Sequence, residues 1–341
     1  MKESQEIALC SLSETEILLG FGPFTASAKP DESKVSFFIS DFFLQDAKPW
    51  KIPASSQVLS PTALKAMWKS QLLTALEWKE DSKKVFFQVF EDIQAKIQNG
   101  ELKKAVPLVF EEAKRRGCEK VLFSFLQQVR EMNVSESLYG YSFADDGVIG
   151  VSPEILFERK ADGSLCTMAL AGTKSKEDAA LLEDDSKEKA EHEYVIRGIE
   201  DSLAPCAKIK RGKTSLLALS HLVHLCTPLE IVSEQCLSFE KLVEALHPTP
   251  ALGCFPRSFN ATWLRAQEKQ HKRHAFGAPF GVRLPDGREK CVVAIRNIAW
   301  DEQKISIAAG CGVVAQSNAE QEWKELKLKR NAVKKAFGLM V

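Results

Sequence analysis

Four glutamates fall into two pairs that lie far apart in the chain. Glu188 precedes Glu191, and Glu322 precedes Glu325, by three residues in each case. Both segments have helical spacing of apolar residues, so each pair is expected to share one helix face. Carboxylates presented in this way suit a hard divalent cation, which prefers oxygen ligands. An acidic helix face is also commonly solvated surface, and Glu325 with Lys329 could form a simple i, i+4 ion pair.

A second feature is an arginine inside an apolar segment. Arg296 follows Val292 and Ala294 at alternating positions of CVVAIRNIAW, which predicts a strand with the guanidinium on a buried face. A buried guanidinium needs an anionic partner, either a structural carboxylate or a bound ligand. Gly310 and Gly312, on the next predicted strand, lack side chains where a ligand could approach the backbone. Together these residues are consistent with a carboxylate pocket.

A third feature is the segment ALHPTPALGCFPRS, from Ala245 to Ser258. Its three prolines and one glycine restrict the backbone directly after a predicted helix, so a rigid loop is expected. Rigid loops line binding sites, but they also serve as purely structural connections. Both alternatives stay open at this point.

Composition excludes several classes of function. The chain of 341 residues carries 46 basic and 46 acidic side chains, so no nucleic-acid or anionic membrane partner is indicated. Its nine cysteines are scattered without a CxxC spacing, which favours reduced thiols over a zinc or disulfide framework. The apolar run at 35–44 is too short to span a bilayer, and MKESQE does not resemble a secretory signal. We therefore expect a cytoplasmic protein.

Helices and hairpins alternate along the chain. Apolar periodicity predicts helices from Ser60, over 85–98, over 178–203, in LSFEKLVEALH and near the carboxyl terminus. Ser317 and Glu320 have the spacing of a capping box for the last of these helices. Between the helices, short apolar runs such as VLFSFLQQV and LYGYSF, with DDG and ADG turns, indicate antiparallel pairing.

These elements predict an α+β fold, with largely antiparallel sheets in a two-layered core and helices packed outside. The chain shows no fixed-period repeat and no low-complexity linker. We therefore expect one domain over residues 1–341. In that domain residues 1–100 would form a variable amino-terminal part of the sheet, and residues 101–341 the catalytic core.

Eight phrases of the sequence, in order between residues 102 and 337, resemble the chorismate-binding enzyme family, and most closely its isochorismate synthases. They are GVSPEILFERK, MALAGTKSK, EHE at 191–193, HLCTP, LHPTPALGCFPR, FGAPFGV, CVVAIRNIA and AAGCGVVAQSNAEQEWKELKLK. Each phrase is short, but their common order over more than half of the chain is specific. The resemblance implies the chorismate-utilising enzyme fold, chorismate as a small-molecule partner and Mg²⁺ as the cofactor.

Three positions bear on which reaction of the family is implied. Lys104, in ELKKAVPL, matches the lysine with which resembling isochorismate and salicylate synthases activate water, whereas amine-transferring relatives carry glutamine there. Ala171 stands where aminodeoxychorismate synthases have a nucleophilic lysine, and HPTPA is the form typical of isochorismate synthases. The resemblance therefore implies that water is the nucleophile and isochorismate the product.

The resemblance also implies a mechanism, in which water adds at ring carbon 2 and the hydroxyl leaves carbon 4. Lys104 would deprotonate the water, and Glu154, in SPE, would protonate the leaving hydroxyl. The lysine must then be neutral and the glutamic acid protonated. Their environments must therefore move both pKa values towards neutrality.

By the same resemblance, Glu191 and Glu325 would be ligands of Mg²⁺, with Glu188 and Glu322 supporting them directly or through water. The metal would hold the ring carboxylate of chorismate, and Lys329 would add a second positive charge there.

The remaining site residues implied by the resemblance bind the rest of the substrate. Arg296 would bind the enolpyruvyl carboxylate, assisted by the backbone from Gly310 to Gly312. Gly172, Thr173 and His224 would line the ring pocket. A lone histidine is also commonly a hydrogen-bonding core residue, so His224 keeps that second interpretation.

One position departs from the family pattern, because Val109 stands where relatives carry an arginine five residues after the catalytic lysine. Lys103 could then be the base, or Lys114 and Arg115 could supply the missing charge.

Two other functions stay open. One is a salicylate synthase, which also eliminates pyruvate, and the other is a non-catalytic chorismate-binding subunit. We expect a monomer whose product enters menaquinone, siderophore or salicylate biosynthesis.

Overall fold

The computed structural model describes residues 6–67, 76–80, 83–115, 122, 125–126, 136–219, 222–270 and 273–339. Within these residues the chain forms nineteen strands. They are β1 (Ile7–Ser11), β2 (Ile17–Phe21), β3 (Thr25–Ser27), β4 (Ser36–Ile39), β5 (Trp50–Ile52), β6 (Ser55–Leu59), β7 (Trp78–Glu80), β8 (Leu108–Lys114), β9 (Ser137–Phe143), β10 (Asp146–Ser152), β11 (Ile155–Arg159), β12 (Leu165–Ser175), β13 (Lys208–Arg211), β14 (Ser215–Ala218), β15 (Leu222–Val232), β16 (Pro279–Arg283), β17 (Glu289–Val293), β18 (Asn297–Trp300) and β19 (Lys304–Gly310).

The same described residues contain seven α-helices that begin and end within them and one 3-10 turn, Arg257–Phe259. The helices are α1 (Pro61–Ala66), α2 (Lys83–Gln98), α3 (Ala179–Leu182), α4 (Ser186–Leu203), α5 (Phe239–Leu246), α6 (Asn260–Gln270) and α7 (Ala319–Ala336). None of the helices in the described ranges is long and apolar enough to cross a membrane. The eight described cysteines are all free thiols, as the sequence predicts.

The described strands pair antiparallel throughout and form two sheets. The first sheet has the order β6-β2-β1-β9-β10-β18-β19-β8-β7. The second has the order β13-β15-β12-β11-β17-β16-β4-β5-β3, and β14 pairs with β15. Strands from the first hundred residues pair with later strands in both sheets, since β1 pairs with β9 and β4 with β16. That the whole chain is one domain stays a prediction.

Alternation along β1 shows how the two sheets and the helices share the core. Ile7 and Leu9 belong to a buried cluster that includes residues of α7, whereas Ala8 and Cys10 pack in a second cluster with Phe37 of the other sheet. Successive strand residues point to opposite faces, so one strand serves both layers. The predicted fold is therefore confirmed: two antiparallel layers face each other, and helices cover their outer faces.

The helix predicted over 178–203 is wrong in one respect, because the structure has two helices there. α3 ends at Leu182, and α4 begins after Asp185, whose carboxylate accepts hydrogen bonds from the backbone N–H groups of Lys187 and Glu188. An N-cap aspartate satisfies free amides at a helix start, so a new helix begins at this point. The cap also orients the first turn of α4, which carries Glu188.

The other predicted helices are found near their expected positions, where the structure describes them. Ser60 caps α1 and accepts from the N–H of Ala63, although residues 68–75 of that predicted helix lie outside the described residues. Most of VLFSFLQQV, at 121–129, also lies outside them. The helix predicted over 85–98 corresponds to α2.

The predicted capping box at α7 is also wrong. Asn318, not Ser317, is the N-cap, and its side chain accepts from the N–H groups of Glu320 and Gln321. The Ser317 hydroxyl instead accepts from the N–H of Val314 and donates to the carbonyl of Gly312. Ser317 therefore stabilises the chain before α7 rather than the helix itself.

A buried ion pair joins α7 to the first sheet. The Arg330 side chain is fully buried, and its Nε lies 2.7 Å from a carboxylate oxygen of Glu111 on β8, while Lys334 binds the other oxygen. Removing one member of a buried pair leaves the other charge undercompensated. We expect Arg330→Met to lower the free energy of unfolding by about 3 kcal/mol, measured by urea denaturation.

Lys335→Met, at an exposed position of the same helix, is the matched control and should change the stability by less than about 0.5 kcal/mol. Equal stability of the two variants would mean that the Arg330 pair contributes little to holding α7 on the sheet.

Candidate active site

One cavity brings most of the predicted site residues together. Nine of them line it: Glu154, Gly172, Thr173, Glu191, His224, Arg296, Gly310, Gly312 and Lys329. The other four, Lys104, Glu188, Glu322 and Glu325, do not line the cavity. Lys104 and Glu188 contact residues of its wall directly, and Glu325 binds Lys329. Glu322 is connected to Glu191 through Lys187.

A bulge in β12 shapes one wall of the cavity. The pairing of β12 with β15 shifts between Ala171 and Thr173, and the intervening Gly172 has a φ of 76°. This left-handed conformation favours glycine, which has no Cβ. The bulge lets the N–H of Thr173 donate to a carboxylate oxygen of Glu188, at 2.9 Å. The strand is therefore joined to the start of α4.

Arg296 lies in the cavity wall, but not within a strand. The predicted strand CVVAIRNIAW is two strands, β17 and β18, which belong to different sheets. Arg296 lies in the crossover between them, with a φ of 55°. The Tyr139 hydroxyl donates to the carbonyl of Ile295, and the Arg296 carbonyl accepts from Val151. Non-glycine residues with positive φ are strained, and such residues are concentrated at functional sites.

His224 holds the Arg296 guanidinium. One guanidinium nitrogen donates to His224 Nε2 at 3.0 Å, so this ring nitrogen must be the acceptor. The ring proton is then on Nδ1, which lies 3.0 Å from the carbonyl oxygen of Gly172. Burial, together with the charge of Arg296, keeps the pKa of His224 well below its ordinary value. His224 is therefore neutral and orients Arg296. It is a buried hydrogen-bonding residue that also lines the cavity, and its contact with a substrate ring stays a prediction.

Glu154 presents a buried carboxyl to the cavity, and only 3% of the residue is exposed. The Thr249 hydroxyl donates to its Oε1 at 3.2 Å. Burial raises the pKa of Glu154 to about 7, against the opposing effects of Thr249 and Lys104. A carboxyl in this environment is able to donate a proton near neutral pH.

Lys104 is fully buried behind the part of the wall formed by Gly312 and Glu191. Its Nζ donates to the carbonyl of Pro250 at 2.6 Å and lies 3.4 Å from Glu191 Oε1. Burial lowers the pKa of Lys104, although Glu191 opposes this shift. A Cβ at position 312 would lie 1.9 Å from the Glu191 carboxylate and 2.6 Å from Lys104, so only glycine fits there.

The loop at 247–256 contacts both Glu154 and Lys104. The sequence left open whether this proline-rich loop lines a site or is only a structural connection. The Thr249 hydroxyl donates to the Glu154 carboxyl, and the carbonyl of the next residue, Pro250, accepts from Lys104 Nζ. The backbone of Phe255 forms hydrogen bonds with that of Lys104 in both directions. The loop therefore lines the site and also sets the positions of two titratable groups.

An acidic cluster lies next to this wall, where α4 and α7 meet. Glu188 and Glu191 come from α4 and Glu322 comes from α7, and all three bind the ammonium of Lys187. Burial and neighbouring carboxylates raise the pKa values of Glu188 and Glu322. The sequence interpretation missed Lys187, although its i, i+4 spacing from Glu191 was a signal for their contact.

The cluster has the chemistry of a cation site. The cluster offers carboxylate oxygens, and Glu322 Oε2 is buried without a hydrogen-bond partner. Burial, and after it the neighbouring carboxylates, raises the pKa values of Glu188 and Glu322, and a bound cation would offset both effects. These residues fit a hard divalent cation, although in the described part of the chain no three acidic, histidine or cysteine side chains are arranged to hold one as they stand.

Lys329 links the cluster to the cavity. Its Nζ lies 2.6 Å from Glu325 Oε1 and donates to the carbonyl of Gly310 at 2.9 Å. Burial opposes its charge, but Glu325 raises the pKa of Lys329 above the ordinary value. Lys329 is therefore charged, and with Arg296 it gives the cavity wall two positive groups.

The departure at Val109 raised Lys103 as an alternative base, and Lys114 and Arg115 as the source of the missing charge. Val109 is buried in an apolar cluster, and Lys103 is exposed. Lys114 is also exposed, and Arg115 donates to the carbonyl oxygens of Asp145 and Asp301. None of these residues lines the cavity.

Comparison with protein families identifies the chain. A family model described as chorismate binding enzyme matches residues 50–338, a range that includes every residue of the cavity wall. The chain belongs to this family. The resemblance seen in the eight phrases is thus confirmed, and the acidic cluster and cavity are the candidate active site of a chorismate-binding enzyme.

The curated relatives of this chorismate-binding enzyme are named for two different reactions. The chain is 31% identical over 222 residues to the salicylate biosynthesis isochorismate synthase of Pseudomonas aeruginosa, and the match covers 62% of this chain and 46% of the relative. It is 30% identical over 224 residues to isochorismate synthase EntC of Escherichia coli K12, covering 61% and 57%. Anthranilate synthase component 1 of Acinetobacter calcoaceticus is 30% identical over 229 residues, covering 62% and 46%. The matched region spans about half the length of these relatives.

Two solved structures share the fold. One, from Bacillus anthracis, is described as a 2,3-dihydroxybenzoate-specific isochorismate synthase, DhbC. It superposes with a TM-score of 0.82 at 22% identity, covering 100% of this chain and 98% of that one. The menaquinone-specific isochorismate synthase MenF of Escherichia coli also has a TM-score of 0.82, at 18% identity, covering 100% and 90%.

Proposed function

We propose that this chorismate-binding enzyme is an isochorismate synthase, which converts chorismate to isochorismate with Mg²⁺. The observation that supports this function best is the pair of Lys104 and Glu154 beside one cavity. Burial lowers the pKa of Lys104 and raises that of Glu154 to about 7. A neutral amine and a protonated carboxyl are the states that a base and an acid need near neutral pH.

The cavity suits a substrate with two carboxylates. Arg296 would bind the enolpyruvyl carboxylate through the guanidinium that His224 orients. Lys329 would attract the ring carboxylate on the side of the cavity next to the acidic cluster. The apolar side chains of Leu170, Leu252 and Phe276, which also line the cavity, would pack against the ring.

Two proton transfers would complete the reaction. Lys104 takes a proton from a water molecule, whose oxygen bonds to ring carbon 2. Glu154 gives its proton to the hydroxyl that leaves carbon 4 as water. One water enters and one leaves, so the product is an isomer of the substrate. The acid and the base are both held by the loop at 247–256.

Glu191, Glu325, Glu188 and Glu322 would hold Mg²⁺, with Glu191 nearest to the cavity because it alone of the four lines the wall. When bound, the cation would offset the charge of the ring carboxylate and fix its position. The proton transfers are left to Lys104 and Glu154.

Two residues favour water over ammonia as the nucleophile. Position 104 is a lysine and not the glutamine of amine-transferring relatives, and Ala171 in the cavity wall excludes a nucleophilic lysine there. Identity alone does not separate the reactions, because an anthranilate synthase component matches about as well as the isochorismate synthases. The named relatives serve different pathways, so we propose a product and not a pathway.

The test is incubation of the purified protein with chorismate and Mg²⁺, with chromatographic separation of the products. We expect isochorismate alone, and no turnover after a chelator removes the metal. A parallel reaction with an ammonium salt tests for anthranilate.

Each other outcome identifies a different function. Salicylate with pyruvate would indicate a salicylate synthase, and anthranilate would indicate the amine-transferring reaction. Chorismate binding without turnover, measured by calorimetry, would indicate a non-catalytic subunit. Turnover that is unaffected by the chelator would contradict the role of Mg²⁺.

A further inference from the structure

Lys187 occupies the centre of the acidic cluster. Its Nζ lies 3.0 Å from Glu188 Oε1, 3.5 Å from Glu191 Oε2 and 2.9 Å from Glu322 Oε1. The three carboxylates come from two helices, α4 and α7, so the ammonium joins these helices. Three carboxylates around one Nζ are the surroundings of an ammonium group, which has three N–H donors and one positive charge.

One ammonium does not satisfy this cluster. Glu322 Oε2 remains buried without a hydrogen-bond partner, and Glu325 on the same helix face is paired with Lys329 rather than with Lys187. An ammonium carries one charge and three donors. A divalent cation carries two charges and accepts six or more oxygen ligands. The cluster therefore favours a divalent cation over the ammonium that it holds.

The ammonium and a divalent cation cannot share the position between these carboxylates. Like charges within contact distance repel each other, and this repulsion is stronger in a buried cluster than in water. Lys187 has a flexible four-carbon stem, and 15% of its side chain is already exposed, so it can move to solvent. Its movement would free one oxygen on each of three carboxylates.

We propose that Lys187 is an internal counter-ion that holds the acidic cluster together before the metal binds and must leave when the metal enters. This inference rests on the proposed function, because the cation concerned is the Mg²⁺ assigned to the four glutamates. Lys187 thus keeps α4 and α7 assembled in the metal-free protein, and it weakens the binding of Mg²⁺ by competing for the same oxygens. The enzyme gains a stable metal-free state at the expense of metal affinity.

The test compares Lys187→Met with the native protein, using calorimetric titration of Mg²⁺ without chorismate. Methionine keeps the length of the apolar stem and removes the charge. We expect the dissociation constant for Mg²⁺ to fall about tenfold or more, as expected when a nearby like charge is removed. In the presence of a chelator, the melting temperature of the variant should be lower than that of the native protein. Saturating Mg²⁺ should then raise the melting temperature of the variant by more than it raises that of the native protein.

Lys189→Met is the matched control, because Lys189 follows Glu188 in the same helix and is exposed. It should change neither the dissociation constant for Mg²⁺ nor the melting temperature. Lys187→Gln, which keeps a hydrogen-bond donor, replaces the methionine variant if that variant does not fold. Glu322→Gln identifies the cluster as the source of the binding heat, because it should weaken Mg²⁺ binding.

The outcomes separate the two hypotheses. Mg²⁺ affinity that is equal or weaker in the Lys187 variants, while Glu322→Gln still weakens binding, would overturn the counter-ion role and leave the metal site intact. Absence of Mg²⁺ binding in every variant and in the native protein would instead reject the metal assignment in the proposed function.

Discussion

Replacing Lys104 by alanine is expected to lower kcat for isochorismate formation by about 10²–10⁴-fold, the usual contribution of a positioned general base. The lysine is fully buried, and this burial lowers its pKa, which favours the neutral amine that a general base requires. KM should change less than kcat, because the substrate would contact residues that line the cavity, whereas Lys104 would contact only the attacking water, at the part of the wall next to Glu191. Steady-state kinetics with chorismate and Mg²⁺ measure both quantities.

Lys103→Ala is the matched control, because it removes the neighbouring lysine that the sequence left as an alternative base. Lys103 is exposed, and we expect kcat within about twofold of the native value, as for a surface substitution of small energetic effect. If the large loss occurred in Lys103→Ala and not in Lys104→Ala, the base would be Lys103. Lys104→Arg should also be inactive, because a guanidinium stays protonated.

Replacing Glu154 by glutamine should cause a loss of kcat of about the same size, 10²–10⁴-fold, because the amide cannot give a proton to the leaving hydroxyl. The pH dependence provides a second measurement. The reaction needs protonated Glu154, whose pKa is about 7, so kcat/KM of the native enzyme should fall as pH rises above about 7. In Glu154→Gln the residual rate should lack this alkaline decline.

Thr249 supplies a conservative pair of control variants for the acid. Its hydroxyl donates to Glu154 Oε1 and thereby stabilises the carboxylate, which lowers the pKa of Glu154. Thr249→Val should therefore move the alkaline decline to higher pH, and Thr249→Ser should keep it near the native position. An alkaline decline that is unchanged in Glu154→Gln would assign it to another group and contradict the role of Glu154 as the acid.

Features that depend only on the spacing of residues within one helix or strand were predicted correctly from the sequence. The spacing of the two glutamate pairs places each pair on one helix face, because 3.6 residues complete a turn whatever the rest of the protein does. Alternating apolar residues likewise predicted strands that are buried on one or both sides. The fold class followed from the sum of such elements, and the ordered phrases led to the family.

Predictions failed where several local solutions compete. Ser317 and Asn318 can each cap a helix, and Asn318 does so because Ser317 binds Val314 and Gly312 instead. Arg296 has the spacing of a strand residue, yet the chain passes from one sheet to the other at this residue. Neither outcome follows from propensity, because partners outside the segment decide it.

The sequence by itself determined the residue types of the site, their grouping on helices and strands, and the family. Only the tertiary structure decided which groups meet: Lys104 with Glu191 and Pro250, Glu154 with Thr249, and Lys187 with glutamates of two helices. These contacts join residues that are up to 146 positions apart in the chain. Such distances are set by the order of strands in the sheets and by the packing of helices on them. Burial produced by the same packing moves the pKa values of Lys104 and Glu154 towards those that the proposed chemistry needs.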